Sequence, residues 1–508
     1  MARLPSAGQL NLKQAVGQLL VVRTSGLLLD RQRLYPHWEL TSAALEEAIG
    51  HYGVGGVLLF GGSLGDTSIK IEAMQRQAAV PLLVAADLEA GCGQHIGGAT
   101  RLPTARAIGE ANDLDLARRC GEITAREARA VGINWVLAPC LDLQSNPRNP
   151  VIALRAFAEK PEQVARLGTA FAAGLRSGGV LSAAKHFPGH GDVEVDSHLV
   201  LPVVDRERAQ LEREDWLPFK AVLAAGIDSL ITAHLRVLSL DPDRPATFSR
   251  RILSEIVRGE WGYEGLIVTD ALTMGAVAGW PEPAVCALEA GADVILMPES
   301  VPVAVDQICA ALRQGRLSEE RLYASVARVL AAKAGLGAAT AALVDLEGLD
   351  GPALERQIAR RAIAVDRDRM GLLPLDRTCP VLQILVVDRA LDGSVLPDSV
   401  LLDVELGFES YWLEADCPPA FLQFLVERAA VSGRILVQVL TPLRAYRGSA
   451  GVHGAAETFL RTVAGERTIL ASFGNPYLGR DFEALSTVVN AFNNSPASHA
   501  ALLERLES

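Results

Sequence analysis

The chain has 508 residues, 49% hydrophobic and 21% charged, which is typical of globular proteins and favours two domains. Its net charge of −12, with no dense lysine and arginine run, argues against a nucleic-acid partner, because phosphate neutralisation requires clustered cations. No apolar segment reaches the ~20 residues of a membrane helix, and the first residues lack a signal-peptide pattern. Seven scattered cysteines indicate reduced thiols, so we expect a cytoplasmic protein without a membrane partner. The sequence does not set the oligomeric state.

The first two-thirds of the chain alternate short apolar runs with longer amphipathic segments. The runs are apolar nearly throughout, as expected for parallel strands covered on both faces. We predict eight strands, at residues 18–22, 54–60, 82–87, 133–141, 180–185, 229–233, 266–270 and 293–297. We predict helices at residues 41–51, 114–131, 161–176, 216–225, 250–261, 284–290 and 318–334. This alternation indicates a (β/α)8 TIM-like barrel of the α/β class.

An open, doubly wound sheet is the alternative architecture for the same alternation. Such a sheet normally carries a glycine-rich phosphate turn after its first strand. The glycine-rich stretch at residues 61–65 follows the second predicted strand instead, so we interpret it as a flexible loop.

Polar residues follow the predicted strands at one and the same end. They are Asp87, Asp142, Lys185, His186, His234 and Asp270. Both architectures place functional groups at the carboxyl ends of parallel strands. Together with Arg155, which follows a loop rich in Asn and Pro, these side chains suit a polyhydroxylated substrate. Glu89, two residues after Asp87, belongs to the same polar group. The alternative interpretation of Glu89 is a solvated acid on a loop.

A second domain is predicted after a glycine- and alanine-rich stretch near residue 340. We assign residues 1–340 to the barrel and residues 343–508 to a smaller α/β sandwich domain. Its predicted helices lie at 352–363 and 455–463, and its predicted strands at 381–387, 434–440 and 468–473. The aromatic pair Tyr411 and Trp412 is predicted to serve packing.

The segment 185–198 holds three histidines, three acids and a lysine. Because Pro188 and two glycines break regular structure, we expect its charged groups on a loop at the end of a strand, where scaffolds place chemistry. Asp196 lies two residues before His198. A carboxylate so placed can fix the tautomer of the ring and favour the imidazolium, which suits a general acid and base. The alternative is a structural Asp–His pair.

Asp270 closes the predicted strand at 266–270. A carboxylate held at a strand end can act as a nucleophile, a general base or a metal ligand. A zinc site is conceivable in principle from His186, His190, Asp192 and His198. Their spacing matches no known zinc pattern, so we expect no metal.

The chain resembles glycoside hydrolase family 3, and its β-N-acetylglucosaminidase branch in particular, in the segments Lys185-His186-Phe187-Pro188-Gly189-His190-Gly191-Asp192 and Asp196-Ser197-His198. Further similar segments stand in the family's order, at residues 138–143, 151–157, 217–220, 225–228, 232–234, 245–249 and 262–270. The resemblance covers roughly residues 12–336. In the second domain it is confined to residues 473–477.

The resemblance implies a retaining β-N-acetylglucosaminidase that acts by double displacement. It implies Asp270 as the nucleophile, His198 as the acid and base, and Asp196 as the partner of His198. It implies that Asp87, Arg155, Lys185 and His186 hold the terminal sugar. No metal or organic cofactor is implied. The expected substrates are small carbohydrates or muropeptides from cell-wall turnover.

Three positions depart from the family pattern. His95 and Cys92 stand where arginines are common, and Ala271 replaces an aspartate that usually follows the nucleophile. These changes bear on the preference for the leaving group more than on the reaction. The alternatives are a phosphorylase or a β-glucosidase on the same scaffold, and an inactive sugar-binding protein.

Overall fold

The structure, a computed structural model, describes residues 4–336, 350–376, 378–387, 407–440 and 451–508. The chain forms two compact units. The first comprises the described residues of Met1–Leu102, Asp113–Asn146 and Ala158–Gly351, and the second those of Pro103–Asn112, Pro147–Phe157 and Pro352–Ser508. Two short segments from the predicted barrel region thus belong to the second unit. The predicted boundary at residues 340–343 lies outside the described residues.

Parallel strands form the centre of the first unit. Its strands are β1 (Leu20–Ser25), β2 (Gly56–Phe60), β3 (Leu83–Ala86), β4 (Trp135–Val136), β5 (Leu181–Phe187), β6 (Val203–Val204), β7 (Ser229–Thr232), β8 (Arg236–Val237), β9 (Leu266–Val268) and β10 (Ile295–Leu296). Eight pair in the order β10-β1-β2-β3-β4-β5-β7-β9, and β6 pairs with β8 separately. A bridge between Val268 and Val294 joins the two ends of the eight-stranded sheet. The predicted (β/α)8 barrel is therefore confirmed.

Helices connect the strands of this barrel. They are Leu12–Gly17, Ser42–Gly50, Leu64–Gln77, Leu114–Ala130, Pro161–Ser177, Arg208–Arg213, Trp216–Ala224, Pro283–Ala290, Val301–Arg313 and Glu319–Gly335, with a wider π-helix at Arg251–Glu260. The prediction of a flexible loop at residues 61–65 is wrong for residues 64 and 65, which lie in a helix. Ser63 caps helix Leu64–Gln77 there, since its Oγ accepts a hydrogen bond from the Asp66 N–H at 3.1 Å.

The second unit is an α/β sandwich with a six-stranded sheet. Its strands are β11 (Ala364–Asp368), β12 (Val381–Val386), β13 (Glu409–Leu413), β14 (Arg434–Val439), β15 (Thr468–Ser472) and β16 (Thr487–Asn490). They pair in the order β11-β16-β15-β14-β12-β13, and only the pairing of β11 with β16 is antiparallel. The helices are Ala105–Ala111, Gly351–Ala362, Pro419–Val431, Gly454–Val463 and Pro496–Glu507. The sequence thus predicted three of these six strands.

The sheet of the second unit carries a hydrophobic cluster on each face. Tyr411 packs against one cluster and its neighbour Trp412 against the other, as alternation along a strand requires. The predicted packing role of this pair is therefore confirmed. Among the helices of the described ranges, none has both the length and the apolar character needed to cross a bilayer.

Candidate active site

Strand β5 carries two of the predicted site residues. It runs from Leu181 to Phe187 and is buried throughout. It therefore includes Lys185, as the predicted strand did, and also His186, which the sequence predicted to lie in the loop. The strand continues because it pairs with β7, and Phe187 pairs with Thr232 beyond a register shift that follows Ala184. The irregular segment begins at Pro188. Lys185 and His186 are thus held by the sheet itself.

Lys185 is bound between two carboxylates. Its Nζ lies 2.6 Å from Asp87 Oδ1 and 2.6 Å from Glu89 Oε1. The lysine side chain is 3% exposed and that of Asp87 is 29% exposed, so the aspartate is the part of this group that solvent can reach. Glu89 is paired in the site and is not the solvated loop acid that the sequence left open as an alternative.

Asp142 connects β4 with the segment after β5. Its Oδ2 lies 2.6 Å from His186 Nδ1 and accepts the His186 N–H at 3.1 Å, while Oδ1 accepts the His190 N–H at 2.6 Å. Burial alone would raise the pKa of this carboxyl, but the charges and hydrogen bonds of His186 and His190 lower it to about 2. Asp142 is thus a buried, ionised acceptor. The sequence placed it at a strand end but not among the site residues.

His198 and Asp196 form the predicted pair. His198 Nδ1 lies 2.7 Å from Asp196 Oδ1, and the same oxygen accepts the His198 N–H at 2.8 Å. The aspartate side chain is buried and the histidine side chain is 22% exposed. Because the carboxylate only accepts, Nδ1 carries a proton and donates it to Asp196.

Asp270 follows β9, and the Ala271 N–H donates to its Oδ1 at 2.7 Å. Burial would raise the pKa of this carboxyl, but three neighbouring imidazoles and the Ala271 N–H bring it below its usual range. The imidazoles belong to His186, His234 and His198. The structure therefore brings Asp270 into the electrostatic neighbourhood of the predicted acid and base. The carboxylate is ionised at neutral pH.

His234 supports the segment that follows Asp270. Its Nε2 lies 3.0 Å from the Ala271 carbonyl oxygen and its Nδ1 lies 2.8 Å from Thr247 Oγ1. Burial lowers the pKa of His234, which favours the neutral ring. Because a carbonyl oxygen only accepts, Nε2–H donates to Ala271 and Nδ1 accepts from Thr247.

Gly189 and Gly191 permit close packing in the segment after β5. A Cβ atom on Gly191 would lie 1.7 Å from the Leu143 carbonyl oxygen, and one on Gly189 would lie 2.9 Å from Asp215 Cβ. Gly189 also has a φ of +120°. Glycine at these two positions therefore lets the loop approach its neighbours.

The rim of the site contains residues that departed from the family pattern. The His95 ring lies 4.9 Å from the Phe60 ring, and the Arg23 guanidinium lies 3.9 Å from the same ring. Burial lowers the pKa of His95, although the charges of Asp87 and Glu89 oppose it. The sequence did not point to Arg23. The signal for it was a basic residue directly after the apolar run at residues 18–22.

Arg155 lies in the short 3-10 helix Ala153–Arg155. This helix belongs to the segment Pro147–Phe157 of the second compact unit. The other predicted site residues belong to the first unit. The sugar-binding role of Arg155 stays a prediction.

Three possible metal ligands lie close together at Cys140, Asp142 and His186, with their ligand atoms within 4.8 Å. Hydrogen bonds among them account for this cluster, because both Cys140 Sγ and His186 Nδ1 contact Asp142 Oδ2. The zinc ligands considered from the sequence are engaged separately. Asp192 pairs with Arg206 at 2.6 Å, and His190 Nε2 lies 2.8 Å from Ser197 Oγ.

Similar proteins are found both by sequence and by structure. The family described as "Glycosyl hydrolase family 3 N terminal domain" matches residues 11–332. Beta-hexosaminidase A of Pseudoalteromonas piscicida is 34% identical over 387 residues, which cover 68% of this chain and 64% of that protein. A beta-hexosaminidase of Tolumonas auensis is 40% identical over 260 residues, which cover 49% of this chain and 77% of that protein.

Among solved structures, a glycoside hydrolase family 3 beta-N-acetylglucosaminidase from Paenibacillus sp. str. FPU-7 matches with a TM-score of 0.86 and 31% identity. The match covers 98% of this chain and 97% of that chain. It therefore includes both compact units. The chain spans somewhat less than two thirds of the Pseudoalteromonas protein, so the activity of that protein is not carried over directly.

Proposed function

The chain belongs to glycoside hydrolase family 3, and from this premise we propose that it is a retaining exo-β-N-acetylglucosaminidase. It would remove terminal β-linked N-acetylglucosamine by double displacement. The observation that carries this proposal is the Asp196–His198 pair in the segment after β5, where His198 Nδ1 lies 2.7 Å from Asp196 Oδ1. The printed names of the relatives, beta-hexosaminidase and beta-N-acetylglucosaminidase, support the choice of sugar.

In the first step, Asp270 attacks the anomeric carbon of the terminal sugar. His198 donates its Nε2 proton to the glycosidic oxygen as the bond from that oxygen to the anomeric carbon breaks. The lowered pKa of Asp270 supports this role, because the nucleophile must be ionised. Asp196 keeps Nδ1 protonated and stabilises the imidazolium.

In the second step, water attacks the glycosyl-enzyme. His198 Nε2, now without its proton, takes one from that water, and the bond from the anomeric carbon to Asp270 breaks. The sugar leaves with the configuration it had in the substrate. Acid and base help of this kind contributes about 10²–10⁴-fold to the rate.

The terminal sugar is proposed to bind where β3 and β5 end. Asp87 would accept hydrogen bonds from sugar hydroxyls, and Lys185 would donate while it stays paired with Asp87 and Glu89. His186 is oriented by Asp142 through Nδ1, and its Nε2 is proposed to contact the sugar. Arg155 is proposed as a further donor to the sugar.

We propose fragments of cell-wall turnover as the natural substrates and the cytoplasm as the place of action. All seven cysteines are free thiols, which suits a reducing compartment. Cell fractionation tests the location, and hydrolysis of purified muropeptides with a terminal N-acetylglucosamine tests the substrate. Activity on aryl glycosides with none on such muropeptides would contradict the substrate proposal.

The test of the reaction is product analysis on aryl N-acetylglucosaminide and aryl glucoside, each with and without inorganic phosphate. We expect faster cleavage of the N-acetylglucosaminide, with the free β-sugar as the first product in both buffers. Faster cleavage of the glucoside would indicate a β-glucosidase. Sugar 1-phosphate as the main product in phosphate would indicate a phosphorylase, and sugar binding without turnover would indicate an inactive binding protein.

A further inference from the structure

The acid/base loop, residues 188–200, is buried only in parts. Asp196 and Ser197 are both 2% exposed, whereas Val195, Leu199 and Val200 on either side are 42%, 47% and 52% exposed. A buried dipeptide within an exposed loop needs specific partners, since few apolar contacts hold the chain around it. These partners decide where His198 points.

One partner is His190, on the near side of the same loop. Its Nε2 lies 2.8 Å from Ser197 Oγ, and both side chains are buried. The backbone N–H of His190 donates to Asp142 Oδ1 at 2.6 Å. The other oxygen of Asp142 contacts His186 Nδ1 at 2.6 Å. A continuous path of hydrogen bonds therefore runs from the sugar-binding His186 to the residue between Asp196 and His198.

The second partner is the segment that follows Asp270. The Ala276 N–H donates to the Ser197 carbonyl oxygen at 3.1 Å, and the Gly275 N–H donates to the His198 carbonyl oxygen at 3.0 Å. A Cβ atom on Gly275 would lie 2.5 Å from the Leu199 carbonyl oxygen. The backbone of the acid/base is thus fixed on one side by the segment of the nucleophile. The contact between the side chains of His190 and Ser197 holds the same segment from another side.

We propose that His190 and Ser197 are positioning residues for the acid/base, an inference that rests on the function proposed above. Their hydrogen bond ties Asp142 and the sugar-binding strand to the loop and sets the direction in which His198 Nε2 points. Neither side chain touches the reacting atoms. They act through His198, so their loss impairs proton donation and leaves the attack by Asp270 intact.

The decisive experiment compares substrates with different leaving groups. An aryl N-acetylglucosaminide with a poor leaving group, such as phenol, needs protonation by His198, whereas one with 2,4-dinitrophenol does not. A displacement of a catalytic group by about 1 Å costs up to ~100-fold in rate. We therefore expect Ser197→Ala to lower kcat/KM, which reports the first step, by about 10- to 100-fold for the phenyl substrate and by less than about threefold for the dinitrophenyl substrate.

Two further variants separate positioning from general stability. Ser197→Thr keeps the hydroxyl and should restore kcat/KM on the phenyl substrate to within about threefold of the wild type. His190→Phe removes the same hydrogen bond from the other side, and combined with Ser197→Ala it should add little further loss. Ser254→Ala is the matched control, because that hydroxyl donates to the Ala290 carbonyl oxygen at 2.7 Å and has no contact with the loop.

Equal losses of kcat/KM on both substrates would overturn the proposal, and so would an unchanged kcat/KM for the phenyl substrate in folded Ser197→Ala. If Ser197→Ala does not fold, His190→Phe decides by the same pair of rates. The proposed function fails in a different way, because the wild-type protein would then not cleave either N-acetylglucosaminide.

Discussion

Oδ1 of Asp196 accepts two hydrogen bonds from His198, one from the ring Nδ1 at 2.7 Å and one from the backbone N–H at 2.8 Å. The carboxylate is buried and the ring is partly exposed. The pair therefore fixes both the tautomer and the rotation of the ring, which are the two conditions for proton donation from Nε2.

Asp196→Asn removes the negative charge and keeps the shape. We expect kcat on the phenyl N-acetylglucosaminide to fall by about 100-fold, because the imidazolium loses its partner. The kcat/KM of the 2,4-dinitrophenyl substrate should fall much less, because its first step needs no proton from His198. Asp192→Asn is the matched control on the same loop, since Asp192 pairs with Arg206 and not with His198. A loss in the control as large as that in Asp196→Asn would contradict the assignment.

Lys185→Gln removes the cation between Asp87 and Glu89. The two carboxylates then repel each other, and the terminal sugar loses a charged donor. We expect kcat/KM to fall by about 10- to 100-fold, since a hydrogen bond to a charged group is worth about 1.5–3 kcal/mol. Steady-state rates measure this, with Lys220→Gln as a control on helix Trp216–Ala224. Unchanged kcat/KM in the Lys185 variant would refute the sugar-binding role.

The variant Asp142→Asn tests how much the buried, ionised carboxylate of Asp142 contributes to the stability of the fold. Its pKa is about 2 in the folded protein and 3.8 for an ordinary aspartate. The ionised group therefore stabilises the fold above pH 4, and this contribution is lost as the pH falls toward 2. We expect wild type to be more stable than the variant at pH 6, and the difference to shrink by about 1 kcal/mol at pH 3. Urea unfolding at both pH values checks this. A constant difference would contradict it.

The sequence predicted the parts of the fold and site that local pattern determines. All eight barrel strands were located, because each coincides with a run that is apolar nearly throughout, as expected for strands covered on both faces. Strands β11, β13 and β16 were missed. The first two are edge strands with mostly half-buried residues, and β16 is a buried strand of only four residues. The pairing of Asp196 with His198 was predicted because the two residues are close in sequence.

The sequence did not predict contacts between segments that lie far apart along the chain. The bonds from Asp142 to His186 and His190 join residues more than 40 positions apart, and nothing in either segment shows them. Arg23 reaches the rim of the site from the first strand for the same reason. The extension of β5 through His186 also depends on its neighbours, because pairing with β7 outweighs the break that Pro188 suggests.

Lys333 is a buried lysine at the end of the barrel sequence, and its Nζ donates to Gln18 Oε1 at 2.6 Å. Burial lowers its pKa from 10.5 to about 7. Between these values the unfolded chain binds more protons than the folded one, so the stability of the wild type rises with pH. Relative to Lys333→Met, wild type should gain about 3 kcal/mol between pH 7 and pH 9.5.

Chemical unfolding of both proteins at the two pH values measures this gain. Lys13→Met is the control, because Lys13 is exposed and its loss should leave the pH dependence unchanged. A parallel pH dependence of wild type and Lys333→Met would show that the buried ammonium keeps its ordinary pKa.

The covalent intermediate on Asp270 is the centre of the proposed mechanism. A 5-fluoro-N-acetylglucosaminyl fluoride reacts with a retaining enzyme faster than the product is hydrolysed, so the sugar stays on the nucleophile. Intact mass followed by peptide mapping of the labelled protein locates the attachment. The mechanism predicts one sugar per chain, on the Asp270 carboxylate, and no label in Asp270→Ala. A label on another residue, or none on an enzyme that cleaves the aryl substrate, would contradict it.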